Sequence, residues 1–561
     1  MKSSFFILIL TSLTCFSFLG FSENSTFKKE SGHLLFLVQQ GEHEKALKLY
    51  QTFFQSEGKH DFELLHQIGL GIIINGAKQN DPESQLLSLF GASVSANEEV
   101  YSILEESLNS KYPQIQLVAL ASLAQFQDSR ADKALLNAIR SRNPLIRFEA
   151  AHFLCKKKHP MAVSQTESLM YKMPSSLWPF FVPLFAMLDD PHSTRILVKL
   201  LNHPSKNIRL AAAICAAQYQ RDDLVPYLRK ILAQQDIAIQ EAVAFSLGKL
   251  KDELSIEKLN ILAASSYPTV SLAAHYALYQ LGQDHSVDSI EQGVKKGDLY
   301  AIYLMGKIPN RSESLLELST HTDRQVRLNV MIALLKQHHP KGAELAEEFI
   351  VKDQNDWGFT SLKSPGKSMT VWKVTPSANQ IFKEDLSAYM EHLKFKEKIL
   401  NKLKETSESQ LIRIAHLIFA KQQNDLIAMT VEILQNLETA EAIDCLKEHQ
   451  QQLGAPLVRH YCNLALFCLQ EPGPYQERLQ EWVKKQSQTE FIRFKDFDLW
   501  KMGEDSYSLT PEETSKLLIQ SCQALAQRQD AAGVETLVEI MAEGHSKNRF
   551  ALAGLLIRAS Q

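Results

Sequence analysis

The stretch Pro204-Ser-Lys-Asn-Ile-Arg-Leu-Ala-Ala-Ala213 decides the fold, because it returns in altered form along much of the chain. Asn143-Pro-Leu-Ile-Arg-Phe-Glu-Ala-Ala151 is one such copy. Each copy holds one apolar residue, here called the anchor, with apolar or small residues four and eight positions later. This spacing predicts a helix with one buried face in every copy. The anchors lie 31 residues apart and are Ile115, Ile146, Leu177, Ile208, Ile239 and Val270.

A second helix is predicted after each anchored one, because apolar residues also recur 20 and 24 positions after the anchors. Leu197 and Leu201 are one such pair. Pro113, Pro144 and Pro268 stand two residues before their anchors, where proline suits the first helical turn. A single pair of helices cannot bury its apolar faces, whereas stacked pairs share a continuous core. The sequence therefore predicts an all-α fold, an α-solenoid.

These copies resemble HEAT repeats, in particular the short bacterial HEAT-like repeats of about 31 residues named after phycocyanin (PBS) lyases. The clear resemblance covers residues 111–340. Within this range a degenerate unit surrounds Leu299, and Thr322–Val330 restores the pattern; it returns again at Pro456–Leu466 and His545–Ala553. The overall design resembles HEAT-repeat proteins of the chlamydial type. The resemblance is specific for fold and implies a surface that binds other molecules, without naming them.

The N-terminal part resembles a different repeat. Gly41-Glu-His-Glu-Lys-Ala-Leu-Lys-Leu-Tyr50 is similar to the middle of a tetratricopeptide repeat, which implies a helical hairpin acting as an N-terminal cap. The expected organisation is then a signal peptide at 1–22, this cap at 23–110, the HEAT-like solenoid at 111–350, an insertion at 351–380, and a C-terminal helical repeat region at 381–561 with a further insertion near 489–509.

The two insertions are rich in aromatic residues. Thr370-Val-Trp-Lys-Val-Thr375 has strand propensity, so residues 351–380 are expected to form a loop or a β-hairpin. The two insertions could pack on each other or form a platform for a partner. The run from Lys394 to Lys404 holds five lysines and an apolar side, which predicts an amphipathic helix with a solvated face or, alternatively, a basic docking face.

Composition and the N-terminal segment narrow the class of protein. The 561 residues carry 60 Lys plus Arg and 64 Asp plus Glu, a net charge of −4, which argues against a general nucleic-acid binder.

Lys2 and the uncharged run from Phe5 to Phe21 predict a signal peptide cleaved between Ser22 and Glu23, and hence a periplasmic or secreted protein. There are two alternatives to cleavage. The segment could stay as an uncleaved anchor, which would be the one membrane contact, or it could be lipidated at Cys15.

The cysteines are few and dispersed. Cys155, Cys215, Cys445, Cys462, Cys468 and Cys522 follow the signal segment, and their even number permits disulfides in an oxidising compartment. Cys155, Cys215 and Cys462 fall at apolar helical positions, where a free cysteine serves as a small core residue. Without a Cys-x-x-Cys pair, a zinc cluster is not indicated.

Catalytic motifs are missing from the sequence. It contains no Walker motif, HExxH or GxSxG. Some HEAT-like enzymes are iron hydroxylases with repeated His-Glu pairs, but the single pair here, His43-Glu44, lies outside the array. Asp189-Asp190 is expected to cap a helix. We therefore predict no catalytic residue, no cofactor and no metal, and the sequence favours a protein that is not an enzyme without deciding the question.

A candidate binding face lies six and ten positions after the anchors, on helices that usually line the concave side of such arrays. Mixed aromatic and long polar side chains suit an interface. The alternative is that the sixth position is partly buried against the next repeat. The predicted contact residues are His152, Lys156, Ile214, Gln218, Phe245, Lys249 and Tyr276.

The position directly after the anchor holds Arg147, Arg209, Arg327 and Arg459 in four copies. The preferred interpretation is structural: each arginine bridges to an acidic or polar group of the next repeat, and together they form a ladder.

The predicted function is an exported, non-enzymatic scaffold or adaptor that holds a protein partner, and no nucleic acid, on the concave face. The alternative is a lyase-like or other enzyme that holds a small cofactor in the groove.

Overall fold

The computed structural model describes residues 31–352, 357–363, 370–376, 386–489 and 510–561. The predicted signal segment at 1–22 and residues 490–509 of the second insertion lie outside these ranges. The first ten helices are α1 (residues 31–39), α2 (His43–Glu57), α3 (Phe62–Ala77), α4 (Pro82–Ser95), α5 (Tyr101–Ser107), α6 (Pro113–Leu123), α7 (Ser129–Ala138), α8 (Pro144–Lys156), α9 (Ala162–Tyr171) and α10 (Trp178–Ala186).

The middle of the chain continues the same alternation of helices and short turns. It contains α11 (Pro191–Leu201), α12 (Lys206–Gln218), α13 (Val225–Ile231), α14 (Ile237–Lys249), α15 (Ile256–Ala263), α16 (Pro268–Gln280), α17 (Val287–Lys295), α18 (Leu299–Met305), α19 (Glu313–Glu317), α20 (Arg324–Lys336) and α21 (Pro340–Glu347), followed by a π-helical turn at Glu348–Lys352.

Two strands, β1 (Trp357–Lys363) and β2 (Thr370–Pro376), precede the last group of helices. This group consists of α22 (Leu386–Thr406), α23 (Glu408–Ala420), α24 (Asn424–Gln435), α25 (Ala440–Gln450), α26 (Pro456–Cys468), α27 (Tyr475–Gln486), α28 (Thr510–Arg528), α29 (Ala531–Glu543) and α30 (Asn548–Ala559). None of the helices in the described ranges is both long and apolar enough to cross a membrane.

The predicted all-α solenoid with small insertions is confirmed. The residues at the anchor and at the fourth and eighth positions after it are buried in every repeat from 115 to 278, with one exception. The exception is Leu177, which is 41% exposed because it ends a 3-10 turn, Ser175–Leu177, before α10 begins. The helix there starts three residues later relative to its anchor than the other anchored helices do, and Phe181 and Phe185 keep the two following positions of the column buried.

The 31-residue period also fixes the backbone of the turns. Gln220, Lys251 and Gly282 follow α12, α14 and α16 and all adopt left-handed conformations, with φ of 54°, 54° and 88°. A 3-10 turn follows each of them, at Asp222–Leu224, Glu253–Ser255 and Asp284–Ser286. Pro113, Pro144 and Pro268 begin α6, α8 and α16, as predicted.

The arginine column is structural: its bonds run back to the turn before the helix, and Arg327 forms a further bond forward to an acidic side chain. The Nη1 group of Arg209 donates to the carbonyl oxygens of His203 and Pro204, both at 2.8 Å. Arg327 donates in the same way to His321 at 2.7 Å and also pairs with Glu348 at 2.7 Å. These side chains satisfy carbonyl groups of the turn before their own helix. Arg209 therefore does not form the expected bridge to the next repeat.

The chain divides into two compact units. Of the described residues, the first unit contains 31–134, 471–489 and 510–561, and the second contains those between 135 and 470. In the first unit, the N-terminal helices α3 and α4 pack against the last helix, α30, and α2 packs against α29. Ion pairs of Lys547 with Glu83 and of Arg549 with Glu44 accompany this packing.

The hairpin of β1 and β2 belongs to the second unit and packs against α20 and α22. Its strands are antiparallel, with Trp357 opposite Pro376 and Lys363 opposite Thr370. Phe359 is buried against Phe395 and His392 of α22. Residues 351–380 thus include the predicted β-hairpin. The lysine-rich run is part of α22, whose apolar side is buried, as predicted for an amphipathic helix.

One buried side chain of α20 holds the outer strand of this hairpin. The Trp372 N–H donates to Asn329 Oδ1 at 2.9 Å, and Asn329 Nδ2 donates to the Trp372 carbonyl at 2.8 Å. We expect Asn329→Ala to weaken the attachment of the hairpin by about 1–2 kcal/mol, because the Trp372 N–H loses its partner while the Trp372 carbonyl keeps the bond from Gln325. Hydrogen exchange of the hairpin amides would measure this. Asn401→Ala, at an exposed position on α22, is the control and should leave the exchange unchanged.

Candidate functional site: a groove of lysines and aromatic rings

A small groove lies on the second unit, between the anchored helices α12 and α14 and the end of α18. Its volume is about 180 Å³. Four of the seven predicted contact residues line it: Ile214, Gln218, Phe245 and Lys249. Ala217, Ser246 and Lys307 complete the lining. The groove exists because residues four apart on a helix share a face, and the 31-residue period places the same face of successive helices side by side.

The hydroxyl of Ser246 holds the floor of the groove together. It donates to the carbonyl oxygen of Ala242 at 2.7 Å on its own helix and lies 3.0 Å from that of Ala213 on α12. A small polar residue here lets α12 and α14 approach each other while satisfying a buried carbonyl group. The spacing between the two helices, and therefore the width of the groove, depends on this contact.

Two aromatic rings form one wall. Phe245 and Tyr276 are stacked, with ring centroids 5.6 Å apart and an interplanar angle of 21°. They are only 8% and 5% exposed. The sixth position after the anchor is thus largely buried against the neighbouring repeat, as the alternative interpretation expected. Tyr276 supports the wall from behind and is not one of the residues that line the groove.

Two lysines, Lys307 and Lys336, lie over the faces of aromatic rings beside the groove. The Lys307 Nζ atom is 5.0 Å from the centroid of Phe245 and 4.8 Å from that of Tyr303. Lys336, at the end of α20, places its Nζ 4.4 Å from the centroid of Tyr303. An ammonium group over a ring face is attracted by the electron density of the ring. The rings therefore position both charges without neutralising them.

The lysines have no acidic partner among the described residues: no carboxylate there forms an ion pair with Lys249, Lys307 or Lys336. Burial lowers the pKa of Lys307 and, as the largest cause, lowers the pKa of Lys336 from 10.5 to about 7. The positive charges of Lys307, Lys398 and Lys402 add to the effect on Lys336. An anion bound beside these groups would relieve their mutual repulsion and their loss of hydration.

The remaining predicted residues lie elsewhere. His152 and Lys156 are on α8 and do not line the groove. The His152 ring is 3.5 Å from the carboxylate of Glu149 and stacks on Phe153, with centroids 5.6 Å apart. Lys156 is exposed to solvent. The structure therefore does not bring these two side chains together with the other five.

Lys307 was missed by the sequence analysis, although a signal for it exists. It lies 31 residues after Tyr276 and 62 after Phe245, in the same column of the repeat. The repeat around Leu299 looks degenerate, because α18 has only seven residues and a short α19 follows it. Extending the 31-residue column through this weak copy would have identified Lys307. Lys336 falls outside the column, so nothing in the repeat indicates it.

Cysteine chemistry in this region is unfavourable. All six cysteines of the described ranges are free, and all except Cys468 are buried. Burial raises the pKa of the Cys155 thiol to about 11 and that of Cys215 to about 12, so neither forms a thiolate near neutral pH.

Outside the groove, the described residues include one group with the donors for a metal ion: His416, Cys445 and His449. The sequence analysis predicted no metal ligand.

Three solved structures illustrate what the chain is similar to. The complex of CpcE and CpcF of phycocyanin lyase from Nostoc sp. PCC7120 is 19% identical, with 44% of this chain and 92% of that chain covered and a TM-score of 0.25. Human deoxyhypusine hydroxylase in complex with glycerol is 15% identical, with 44% and 98% covered and a TM-score of 0.21. Kap121p is 11% identical, with 95% of this chain and 59% of that chain covered and a TM-score of 0.40.

No curated protein matches the sequence. A family model described as HEAT repeats matches residues 194–279, which include the helices α12, α14 and α16 beside the groove. The match covers the region where the 31-residue period and the buried anchor positions are most regular. Because sequence pattern, packing and family model agree there, residues 194–279 of this chain form HEAT repeats.

Proposed function

We propose that this protein is an exported, non-enzymatic adaptor that holds an acidic segment of a partner protein in the groove of lysines and aromatic rings. The observation that carries the proposal is the pair of lysines, Lys307 and Lys336, held over ring faces without an acidic partner in the described part of the chain. Export rests on the sequence of residues 1–22, which predicts a signal peptide.

The size of the groove favours a peptide side chain over a cofactor. Sites for small-molecule ligands usually measure roughly 300–1,000 Å³, whereas this groove measures about 180 Å³. Such a volume suits a single side chain of a longer partner, with the apolar part against Ile214 and Phe245. A carboxylate on the same or the next residue would then reach the lysines. Apolar contact next to charged contact is typical of protein interfaces.

The charge of the whole chain favours a protein over a nucleic acid as the partner. The chain carries a net charge of −4, so it lacks the broad positive field that attracts a phosphate backbone. The 60 basic residues of the chain are balanced by 64 acidic ones, and the lysines without an acidic partner described above lie beside one small groove. The enzyme alternative needs a nucleophile in the groove, and the nearby Cys215 is a buried thiol with a raised pKa.

A peptide-display selection against the full-length protein tests the proposal. We expect the selected peptides to carry Asp or Glu within two positions of an apolar residue, and to lose binding when Lys307 is replaced by glutamine. Crosslinked purification from the source cells would then identify a natural partner with such a segment. Selected peptides without acidic residues, or displacement of the peptides by an unrelated oligonucleotide, would contradict the proposal.

The pH dependence of binding follows from Lys336. Its pKa of about 7 means that Lys336 is largely protonated at pH 6 and largely neutral at pH 8.5. A bound carboxylate favours the protonated form, so binding takes up protons. We expect an acidic peptide to bind roughly 3–10 times more tightly at pH 6 than at pH 8.5, because a pKa change of 0.5–1 unit corresponds to that factor.

Calorimetry in two buffers of different ionisation enthalpy would measure the proton uptake. The probe should be a selected peptide without histidine, whose carboxyl groups titrate well below this range. Lys336→Met is expected to remove the pH dependence while leaving part of the affinity. Equal affinity of the wild-type protein at both pH values would show that Lys336 does not face the bound peptide.

A further inference from the structure

A histidine and cysteine cluster connects two neighbouring helices of the second unit. His416 lies on α23, and Cys445 and His449 lie on α25. Cys445 and His449 are four residues apart, so their side chains project from the same face of α25. The packing of α23 against α25 brings His416 to that face. One donor atom from each of the three residues lies within 4.8 Å of the other two.

The distances are close to those of a metal-bound set. His416 Nδ1 is 2.8 Å from His449 Nε2 and 3.9 Å from the Cys445 Sγ. In a tetrahedral zinc site the donor atoms are separated by roughly 3.3–3.6 Å, given Zn–N and Zn–S bonds of about 2.0 and 2.3 Å. A small rotation of the half-exposed His416 ring would lengthen its distance to His449 and shorten its distance to Cys445, and all three donor atoms already lie within 4.8 Å of one another.

A neighbouring amide sets the tautomer of one ligand. His449 Nδ1 lies 2.7 Å from Oε1 of Gln452. An amide oxygen only accepts hydrogen bonds, so Nδ1 carries the proton and donates it. The lone pair of His449 then resides on Nε2, the atom that faces His416. Such an outer hydrogen bond is the usual device that orients a metal-binding histidine.

The surroundings of the cluster combine burial with one access route. Cys445 and His449 are buried, and the ring of Phe419 packs edge-on against His449 with centroids 4.9 Å apart. His416 is at the surface side, and the exposed carboxylate of Glu448 lies 4.0 Å from its Nδ1. An ion could enter from this side, and Glu448 is placed to supply a fourth oxygen donor.

We propose that His416, Cys445 and His449 bind one Zn²⁺ ion, with Glu448 as the fourth donor, and that the ion ties α23 to α25. A set of two imidazoles, a thiolate and a carboxylate favours zinc over magnesium or calcium, which prefer oxygen donors alone. On binding, Cys445 releases its thiol proton to solvent, and the proton of His416 moves from Nδ1 to Nε2, so that the sulfur and Nδ1 can coordinate the ion. This site is independent of the groove and of the function proposed for it.

Metal titration of the full-length protein tests this site. After treatment with a chelator, we expect one equivalent of Co²⁺ to produce a thiolate-to-cobalt absorption band, and Zn²⁺ to abolish that band by displacement. Cys445→Ser should remove the band. His416→Gln, at a half-exposed position that tolerates substitution, should weaken Zn²⁺ binding at least 100-fold without loss of helicity. Cys468→Ser, an exposed cysteine outside the cluster, is the matched control and should bind as the wild type does.

A second readout distinguishes a site that ties helices together from an ion bound elsewhere. Hydrogen exchange in α23 and α25 should slow at least several-fold when Zn²⁺ is added to the wild-type protein, and should not change in His416→Gln. Absence of the cobalt band in the wild-type protein would overturn the proposal. So would Zn²⁺ binding of unchanged affinity in both His416→Gln and Cys445→Ser.

Discussion

Replacing Gly554 by alanine is expected to destabilise the first unit by about 3 kcal/mol or more, at or above the upper end of the usual cost of overpacking. Gly554 lies on α30, where its backbone touches that of Gly91 on α4. A Cβ atom on Gly554 would overlap the carbonyl group of Gly91 and lie 2.7 Å from its Cα. Both obstacles are backbone atoms, so no side chain can rotate away and the two helices must separate.

The measurement is urea unfolding followed by circular dichroism, with hydrogen exchange to localise the effect. Two units need not unfold together, so the exchange of amides in α4 and α30 is the more specific readout. Gly32→Ala is the control, because nothing lies within 4 Å of a Cβ there and the residue is exposed in α1. It should be neutral or stabilising by up to about 1 kcal/mol. Equal unfolding of Gly554→Ala and wild type would mean that α4 and α30 are not in close contact.

The contact between α4 and α30 also shows what the sequence does not reveal. It joins residues more than 400 positions apart and occurs once, so no periodicity signals it. The repeated contacts could be predicted, because each buried position is tested six times over at 31-residue intervals. The single failure among the anchors, Leu177, lies in the copy whose helix starts late. Prediction was therefore reliable where the packing is repeated and failed where it is unique.

The residues of the candidate site also fall into those that the repeat pattern predicts and those that it does not. Ile214, Gln218, Phe245 and Lys249 could be predicted together, because they follow the repeat and successive helices present the same face. His152 and Lys156 follow the same rule but belong to α8, which does not border the groove. The cluster of His416, Cys445 and His449 was not predicted, because His416 lies 29 and 33 positions before the other two on a different helix, so the three form no short motif. The spacing of Cys445 and His449 is the one local signal.

The largest effect on binding is expected from reversing the charges of Lys307, which lines the groove, and of Lys336, which lies over Tyr303 beside it. Lys307→Glu combined with Lys336→Glu should lower the affinity for an acidic peptide at least 100-fold, which is about 2.7 kcal/mol. Breaking a half-buried charge pair typically costs about 2–5 kcal/mol, and here the new carboxylates would also repel the peptide. The lysines are the better targets than Phe245 and Tyr276. Those two rings are buried and stacked, so alanine there would also remove core packing.

Fluorescence anisotropy with a labelled peptide from the selection would measure the loss, with circular dichroism to verify that the helices remain. Lys156→Glu is the matched control: it adds the same kind of charge on the same unit, at an exposed position of α8 away from the groove. It should change the affinity less than threefold. The milder variant Lys307→Gln should still lower the affinity for the peptide about tenfold. Lys307 lies over two ring faces, and Lys336 has a lowered pKa, so Lys307 supplies the larger share of the positive charge. If Lys156→Glu lowers the affinity as much as the double reversal does, the peptide is attracted by the general charge of the surface. The groove would then not be the binding site.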